Sequence, residues 1–225
     1  KGCGFEVAAV LTSNEVRKSH ALEDFPGTAV VTTMQQLLSH ELDLVVVASA
    51  NLAHAEQATA ALKAGIPVVV DKPMGRDFNE TKRIIDVATD RGVPVTTFFN
   101  RRWDSDALTI KKIIKEGVIG NIFRLESRFE RFREIINPES WRENQNASEG
   151  GGNLLDLQPH LLSTALDWFG PAELVSSSIN SIRGGADDDT VLVLKHASGV
   201  DSYLSASTII GSPGPRIRLI GDKGA

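Results

Sequence analysis

Residues 44–73 read LVVVASANLAHAEQATAALKAGIPVVVDKP, and their order decides the fold class. With Leu42 and Asp43, the first run, LDLVVVAS, is continuously apolar at its centre and fits a strand buried on both faces. An Ala-rich helix follows over 53–65, with Gly65 as its C-terminal stop. A second strand, IPVVVD, occupies 66–71. Strand, helix and strand in this order describe a parallel crossover with helices packed on a sheet. The second strand ends in Asp71, Lys72 and Pro73. Proline stops a strand, but it does not call for an adjacent acid and base. This end therefore faces either solvent or a ligand.

The same alternation extends both ways. FEVAAVL (5–11) reads as a strand and NEVRKSHAL (14–22) as a helix. Asp77 caps a helix over 78–92, with Glu80 three residues on and Gly92 closing it. VPVTTFF (93–99) is a further strand. Together these give an α/β, Rossmann-like parallel sheet with helices on both faces over residues 1–100.

The pattern changes after Asn100. Residues 104–120 form an amphipathic helix with Ile110, Ile113 and Ile114 on its apolar side. In NIFRLESRFERF (121–132), Phe123, Leu125 and Phe129 share one face, and Arg124, Glu126, Arg128 and Glu130 the other, as in a sheet with one wet side. A polar loop spans 133–149, residues 154–170 are helical, and strands follow over 190–196, 200–207 and 215–221. Residues 101–225 thus read as an α+β domain with a mainly antiparallel, open-faced sheet.

The 225 residues are 41% hydrophobic and 24% charged, with a net charge of −5. This is a globular balance with no basic face, which argues against nucleic acid or an anionic membrane as partner. Cys3 is the single cysteine, so no internal disulfide forms and a reducing, cytoplasmic compartment is expected. No apolar run has the length of a membrane span. The chain starts without methionine and ends abruptly in IGDKGA, as part of a longer protein would.

Ligands of open parallel sheets bind beyond the carboxyl ends of the strands. Here those ends carry Thr12-Ser13-Asn14, Ser49-Ala50-Asn51 and Asp71-Lys72-Pro73. Ser13 and Asn14 read equally as helix caps. Farther on, Pro159 places a helix start near Asp156, so Asp156 and His160 lie on one helix face. They form either an N-cap and a packed histidine or a reactive pair. Gly150 to Gly152 allow either close backbone approach or a flexible turn. As metal ligands, Asp156 and His160 lack a third partner nearby in sequence, so no metal is expected.

Taken together, these elements resemble the Gfo/Idh/MocA family of NAD(P)-dependent sugar and inositol dehydrogenases. That family carries Thr-Pro-Asn-x-x-His after one strand, Glu-Lys-Pro after the next, and a Gly-Gly…Asp-x-Gly-x-His helix start. This chain has Ser49-Ala50-Asn51…His54, Asp71-Lys72-Pro73 and Gly151-Gly152…Asp156-Leu157-Gln158-Pro159-His160. Residues 99–122 with ESRFERF look like the subgroup containing NADP-dependent scyllo-inositol dehydrogenase. The resemblance implies an incomplete dinucleotide-binding domain (1–100) and an incomplete substrate-binding and oligomerisation domain (101–225). It implies Lys72 as catalytic lysine, His160 as general acid/base and Asp156 as the residue orienting them. It places Asn51, His54 and Asp71, with Ser49 beside them, at the nicotinamide end. Arg101 and Trp141 would stand at the cofactor–substrate junction, and the open sheet would pair subunits into homodimers or homotetramers.

Three departures qualify it. The Gly-x-Gly-x-x-Gly turn is absent, KGCG is no substitute, and the first strand and helix of the nucleotide fold are missing. Gln158 replaces a glycine, putting bulk and an amide near the substrate. Asp71 replaces glutamate. An acid at the end of the nucleotide fold's second strand would bind the ribose 2′-hydroxyl, and AVLTSNEVRK offers none before Glu15. Ser13 and Arg17 either meet a 2′-phosphate or form a capped helix with a solvated basic turn, so NADP is the expected cofactor and NAD the alternative.

Overall fold

The computed structural model describes residues 3–225; Lys1 and Gly2 of the KGCG stretch lie outside the described residues. The chain forms two compact units, residues 1–49 with 53–97 and residues 50–52 with 98–225.

In the first unit, β1 (Ala9–Leu11) pairs in parallel with β2 (Ala29–Val31), around α1 (Glu15–Asp24). The short α2 (Met34–Leu37) then leads to β3 (Val45–Val47). After α3 (Asn51–Lys63), β4 (Val68–Asp71) pairs in parallel with β3, Val45 beside Val68 and Val47 beside Val70. β5 (Val95–Phe98) follows α4 (Phe78–Arg91) and flanks β4 on its other side. No described strand joins β1–β2 to β3–β4–β5.

Ala55, Ala58, Ala61 and Leu62 of α3 and Ile84 and Ala88 of α4 share one core with Val45, Val47, Val68 and Val70. Small alanines let α3 lie close to the valine surface. Val46, on the opposite face of β3, is 63% exposed. The expectation of a strand buried on both faces is therefore corrected: both helices cover the same face. The caps behave as the sequence implied. Asp77 accepts from the Glu80 N–H at 2.8 Å, and Gly92 closes α4 in the left-handed region.

The second unit centres on a five-stranded sheet. A 3₁₀ turn (Asn100–Trp103) and α5 (Ser105–Glu116) precede β6 (Ile122–Glu130). The loop at 133–149 contains α6 (Trp141–Asn144), and the expected helix at 154–170 divides into α7 (Asn153–Asp156) and α8 (Gln158–Phe169). β7 (Ala172–Asn180), β8 (Asp189–His196), β9 (Asp201–Ser207) and β10 (Ile217–Gly221) complete the order β10-β6-β9-β8-β7. Only β6–β9 is parallel; the other pairings are antiparallel.

Leu161, Ala165 and Phe169 of α8 pack on Leu125, Leu192, Leu194, Leu204 and Ala206. One expectation fails locally. A register shift between Ile220 and Gly221 pairs Arg124 and then Ile122 with successive β10 residues, which makes Phe123 the extra residue of a bulge. Phe123 is 46% exposed, and Ile122 packs inward in its place.

Candidate active site

In the first unit the ends of β3 and β4 are tied together by one side chain. His54, buried in the first turns of α3, has Nδ1 2.8 Å from the Pro73 carbonyl and Nε2 3.1 Å from the Ser49 carbonyl. Both ring nitrogens thus lie against backbone carbonyls, and a neutral ring donates to one of them. The sequence offered His54 as a cofactor contact; the structure gives it the work of holding the loop that carries Lys72. Ser49 donates to Gln57 Oε1 at 2.8 Å, fastening the same turn to α3. Asp71 accepts from the Lys72 backbone N–H at 2.8 Å, so its carboxylate shapes the turn. Asp71 and Lys72 are both half-buried.

At the end of β1, Asn14 is the N-cap of α1, and its Oδ1 accepts from the Arg17 N–H at 3.0 Å. Ser13 and Arg17 are both exposed, and their side chains make no hydrogen bond or ion pair among the described residues. An anion arriving there would meet one hydroxyl, one guanidinium and the favourable end of a helix dipole.

In the second unit, Asp156 is the last residue of α7 and His160 lies in the first turn of α8, with Pro159 tolerated in that turn. The reading of Asp156 as an N-cap is corrected: Gly152 holds that position for α7, and Leu157 for α8. Asp156 Oδ1 is 3.3 Å from Arg142 Nε, and the Arg142 guanidinium stacks 4.4 Å over Trp141. The edge of the Phe129 ring meets His160, centroids 6.0 Å apart, and Arg101 lies 5.9 Å above the same ring. Arg101 is itself held by Asp104 at 3.1 Å. Two groupings result: Asp156 with Arg142 and Trp141, and His160 with Phe129 and Arg101. Asn51 clusters with this unit and donates to the Gly150 carbonyl at 2.8 Å.

The glycines preceding α7 serve close approach. A Cβ on Gly151 would overlap the Gln145 carbonyl, and one on Gly152, at φ +87°, would overlap the Asp187 carboxylate. That carboxylate accepts from the Leu154 N–H at 2.7 Å. Burial pushes the Asp187 carboxyl up, against the bonds from Leu154 and Asn153, and the charge of Asp188 adds to the rise. Asp188 is buried and accepts from the Ile182 N–H (2.8 Å), the Arg183 N–H (3.0 Å) and Arg183 Nε (2.9 Å). Burial pushes Asp188 up as well, but these bonds together outweigh it and hold the group below the ordinary carboxylate range. Arg183 reaches on to Glu143 at 3.2 Å and Thr208 at 3.0 Å.

Gln158 needs correction. The sequence placed its amide near a substrate. Instead the side chain is buried under the sheet, where Nε2 donates to the Thr190 and Leu204 carbonyls at 3.0 and 3.2 Å. It fixes α8 to β8 and β9. Sequence reasoning missed Arg142, Phe129 as a neighbour of His160, and the Arg183 network. Arg142 adjoins Trp141, which was the one available signal. Among the described residues no group of three or more His, Cys, Asp or Glu side chains is placed to hold a metal ion. No described helix is long and apolar enough to cross a membrane.

Residues 2–99 match the oxidoreductase family with an NAD-binding Rossmann fold, and residues 107–225 match the GFO/IDH/MocA C-terminal domain. The chain belongs to the GFO/IDH/MocA oxidoreductase family. Among its relatives, the uncharacterized oxidoreductase YdgJ of Escherichia coli K12 is 36% identical over 81% of this chain and 51% of its own length. The scyllo-inositol 2-dehydrogenase (NADP(+)) IolW of Bacillus subtilis 168 is 30% identical over 96% of this chain and 60% of its own. The oxidoreductase structure YPO2259 from Yersinia pestis superposes with a TM-score of 0.84 at 36% identity, covering 97% of this chain and 61% of that one. The chain thus spans between half and about three-fifths of these relatives.

Proposed function

We propose that this chain is the larger part of an NAD(P)-dependent oxidoreductase that moves a hydride between nicotinamide and a hydroxyl-bearing carbon of a sugar or inositol-like polyol. The observation that carries the reading is the Asp156–His160 pair, braced by Arg142 and Phe129, in a chain whose other unit holds Lys72 at a clamped strand end. The nicotinamide supplies or accepts the hydride when bound. The chain's own residues manage the proton and the orientation. His160 takes the hydroxyl proton as the carbonyl forms, and returns it in reduction. The Lys72 ammonium lowers the cost of the developing alkoxide. Asp156 receives substrate hydroxyls and is itself held by Arg142.

The hydroxyl of Ser13 and guanidinium of Arg17, exposed and without a partner among the described residues, fit a ribose 2′-phosphate, favouring NADP over NAD. Ser13 and Arg17 would meet one end of the cofactor and the residues near Lys72 the other. Leu174 and Val175, 60% and 63% exposed on the sheet, fit burial in a homodimer or homotetramer.

The test uses the full-length protein and a panel of polyols and sugars with NADP and NAD, followed by nicotinamide absorbance. Lys72→Ala should lower kcat by about 100- to 10,000-fold with the fold intact by circular dichroism. Arg17→Ala should raise KM for NADP far more than for NAD. A Lys72→Ala protein with near-normal kcat would remove lysine from the reaction.

A further inference from the structure

α7 has only four residues, and a helix of that length is marginal on its own hydrogen bonds. Its place is therefore set by what it is tied to. The first N–H groups of any helix lack partners within it, and a side chain at the N-cap position commonly supplies one. Here the N-cap is Gly152, which has no side chain to offer. Asp187, far along the chain, does that work instead. Its carbonyl accepts from the Asn153 N–H at 2.9 Å, and its Oδ2 accepts from the Leu154 N–H at 2.7 Å. The same carboxylate fills the space that a Cβ at position 152 would need. Glycine and aspartate thus make one cap from two segments.

The segment that supplies the cap is itself held. The Ala186 N–H donates to the Glu143 carbonyl at 2.9 Å, and the Asp188 N–H donates to the Asn180 carbonyl at 2.9 Å. The Asp188 carbonyl accepts from Asn153 Nδ2 at 2.8 Å, and the Asp188 carboxylate accepts from Arg183 Nε at 2.9 Å. At its other end α7 closes on Asp156, two residues beyond Leu154. There Asp156 Oδ1 lies 3.3 Å from Arg142 Nε, and the Arg142 carbonyl accepts from the Gly152 N–H at 2.8 Å. The residues leading into β8 therefore reach Asp156 through one short helix anchored at both ends.

We infer that Asp187 is a positioning residue: by capping α7 from the segment before β8, it fixes where Asp156 stands to receive substrate hydroxyls. The inference rests on the dehydrogenase reading above and adds a residue that acts only through Asp156. A carboxyl keeps an oxygen able to accept in either protonation state, and an amide oxygen accepts in the same way. Asparagine can therefore replace the cap, and alanine cannot.

The experiment uses the full-length protein as wild type, Asp187→Asn and Asp187→Ala. Hydrogen exchange over residues 152–157 reads the cap without turnover. Kinetics with scyllo-inositol and glucose, each with NADP and NAD and well below the melting temperature, read its consequence. In Asp187→Ala, exchange over 152–157 should quicken by about 2- to 30-fold, as for a lost helix cap. Its kcat/KM for the polyol or sugar should fall by about 10- to 100-fold, with KM for the nucleotide unchanged. Asp187→Asn should restore most of both. Faster exchange with kcat and KM unchanged would make the cap merely structural and overturn the inference. So would exchange at the wild-type rate in Asp187→Ala, or an Asp187→Asn protein as impaired as Asp187→Ala. If neither compound changes nicotinamide absorbance in the wild type, the hydride-transfer reading fails, while faster exchange in Asp187→Ala alone leaves Asp187 as the residue that positions Asp156.

Discussion

The two units solve the same problem with different materials. The first packs valine, alanine, isoleucine and leucine between two helices and one face of a small parallel sheet, and the strand end that carries Lys72 rests against one buried histidine. The second has an apolar centre too, but its working end is built from buried polar groups: Asp188 with Arg183, Asn153 with the Asp188 carbonyl, Gln158 with Thr190. An apolar core tolerates a change of shape at the cost of a cavity. A buried ionic network tolerates the loss of a partner badly, because the remaining charge keeps its desolvation penalty.

Breaking each unit in its own way measures that difference. Arg183→Ala leaves the buried Asp188 with backbone donors alone and Glu143 with only Arg133, and should cost about 3–5 kcal/mol. Hydrogen exchange should show the loss confined to the second unit; equal loosening of both units would refute the separation. Leu62→Ala, at a fully buried position in α3, should cost about 2–5 kcal/mol and loosen the first unit.

The smallest effects concern pH and have opposite signs. In the first unit the hydrogen bond from Arg76 holds the Glu80 carboxyl below its ordinary range. The stability it contributes is therefore present above the unfolded glutamate pKa and lost as pH falls through the depressed folded value. Glu80→Gln should remove that acid-side loss. In the second unit the raised Asp187 contributes stability that is full below the unfolded aspartate pKa and lost as pH rises through the folded value. Asp187→Asn should flatten that decline. Denaturant titrations across pH read both.

The contrast also explains what could be read in advance. Apolar runs and helix stops revealed β3, α3, β4 and α4, because those elements are coded by neighbours in sequence. β7 escaped because Ala172–Asn180 is mostly polar and lies exposed along nearly its whole length. The two-sided burial of β3 was misjudged because an apolar run does not say which face finds a helix. The helix start near Asp156 and His160 was legible through the proline between them. Their supports were not: Arg183 lies far from Glu143 in sequence, and no local period encodes such a pairing. Gln158 misled because a substitution in a motif says that a side chain was added, not which way it points.

The clamp at His54 has a dynamic consequence. A lysine at a bare strand end would sample positions as fast as any surface loop moves. Here the Pro73 carbonyl is tied through one ring to the Ser49 carbonyl and, with it, to α3. Displacing the loop means pulling the Pro73 carbonyl off a ring that is buried in α3. Excursions of the Lys72 backbone should therefore be rare, cooperative openings of the first unit rather than local fluctuations, with amide protection to match.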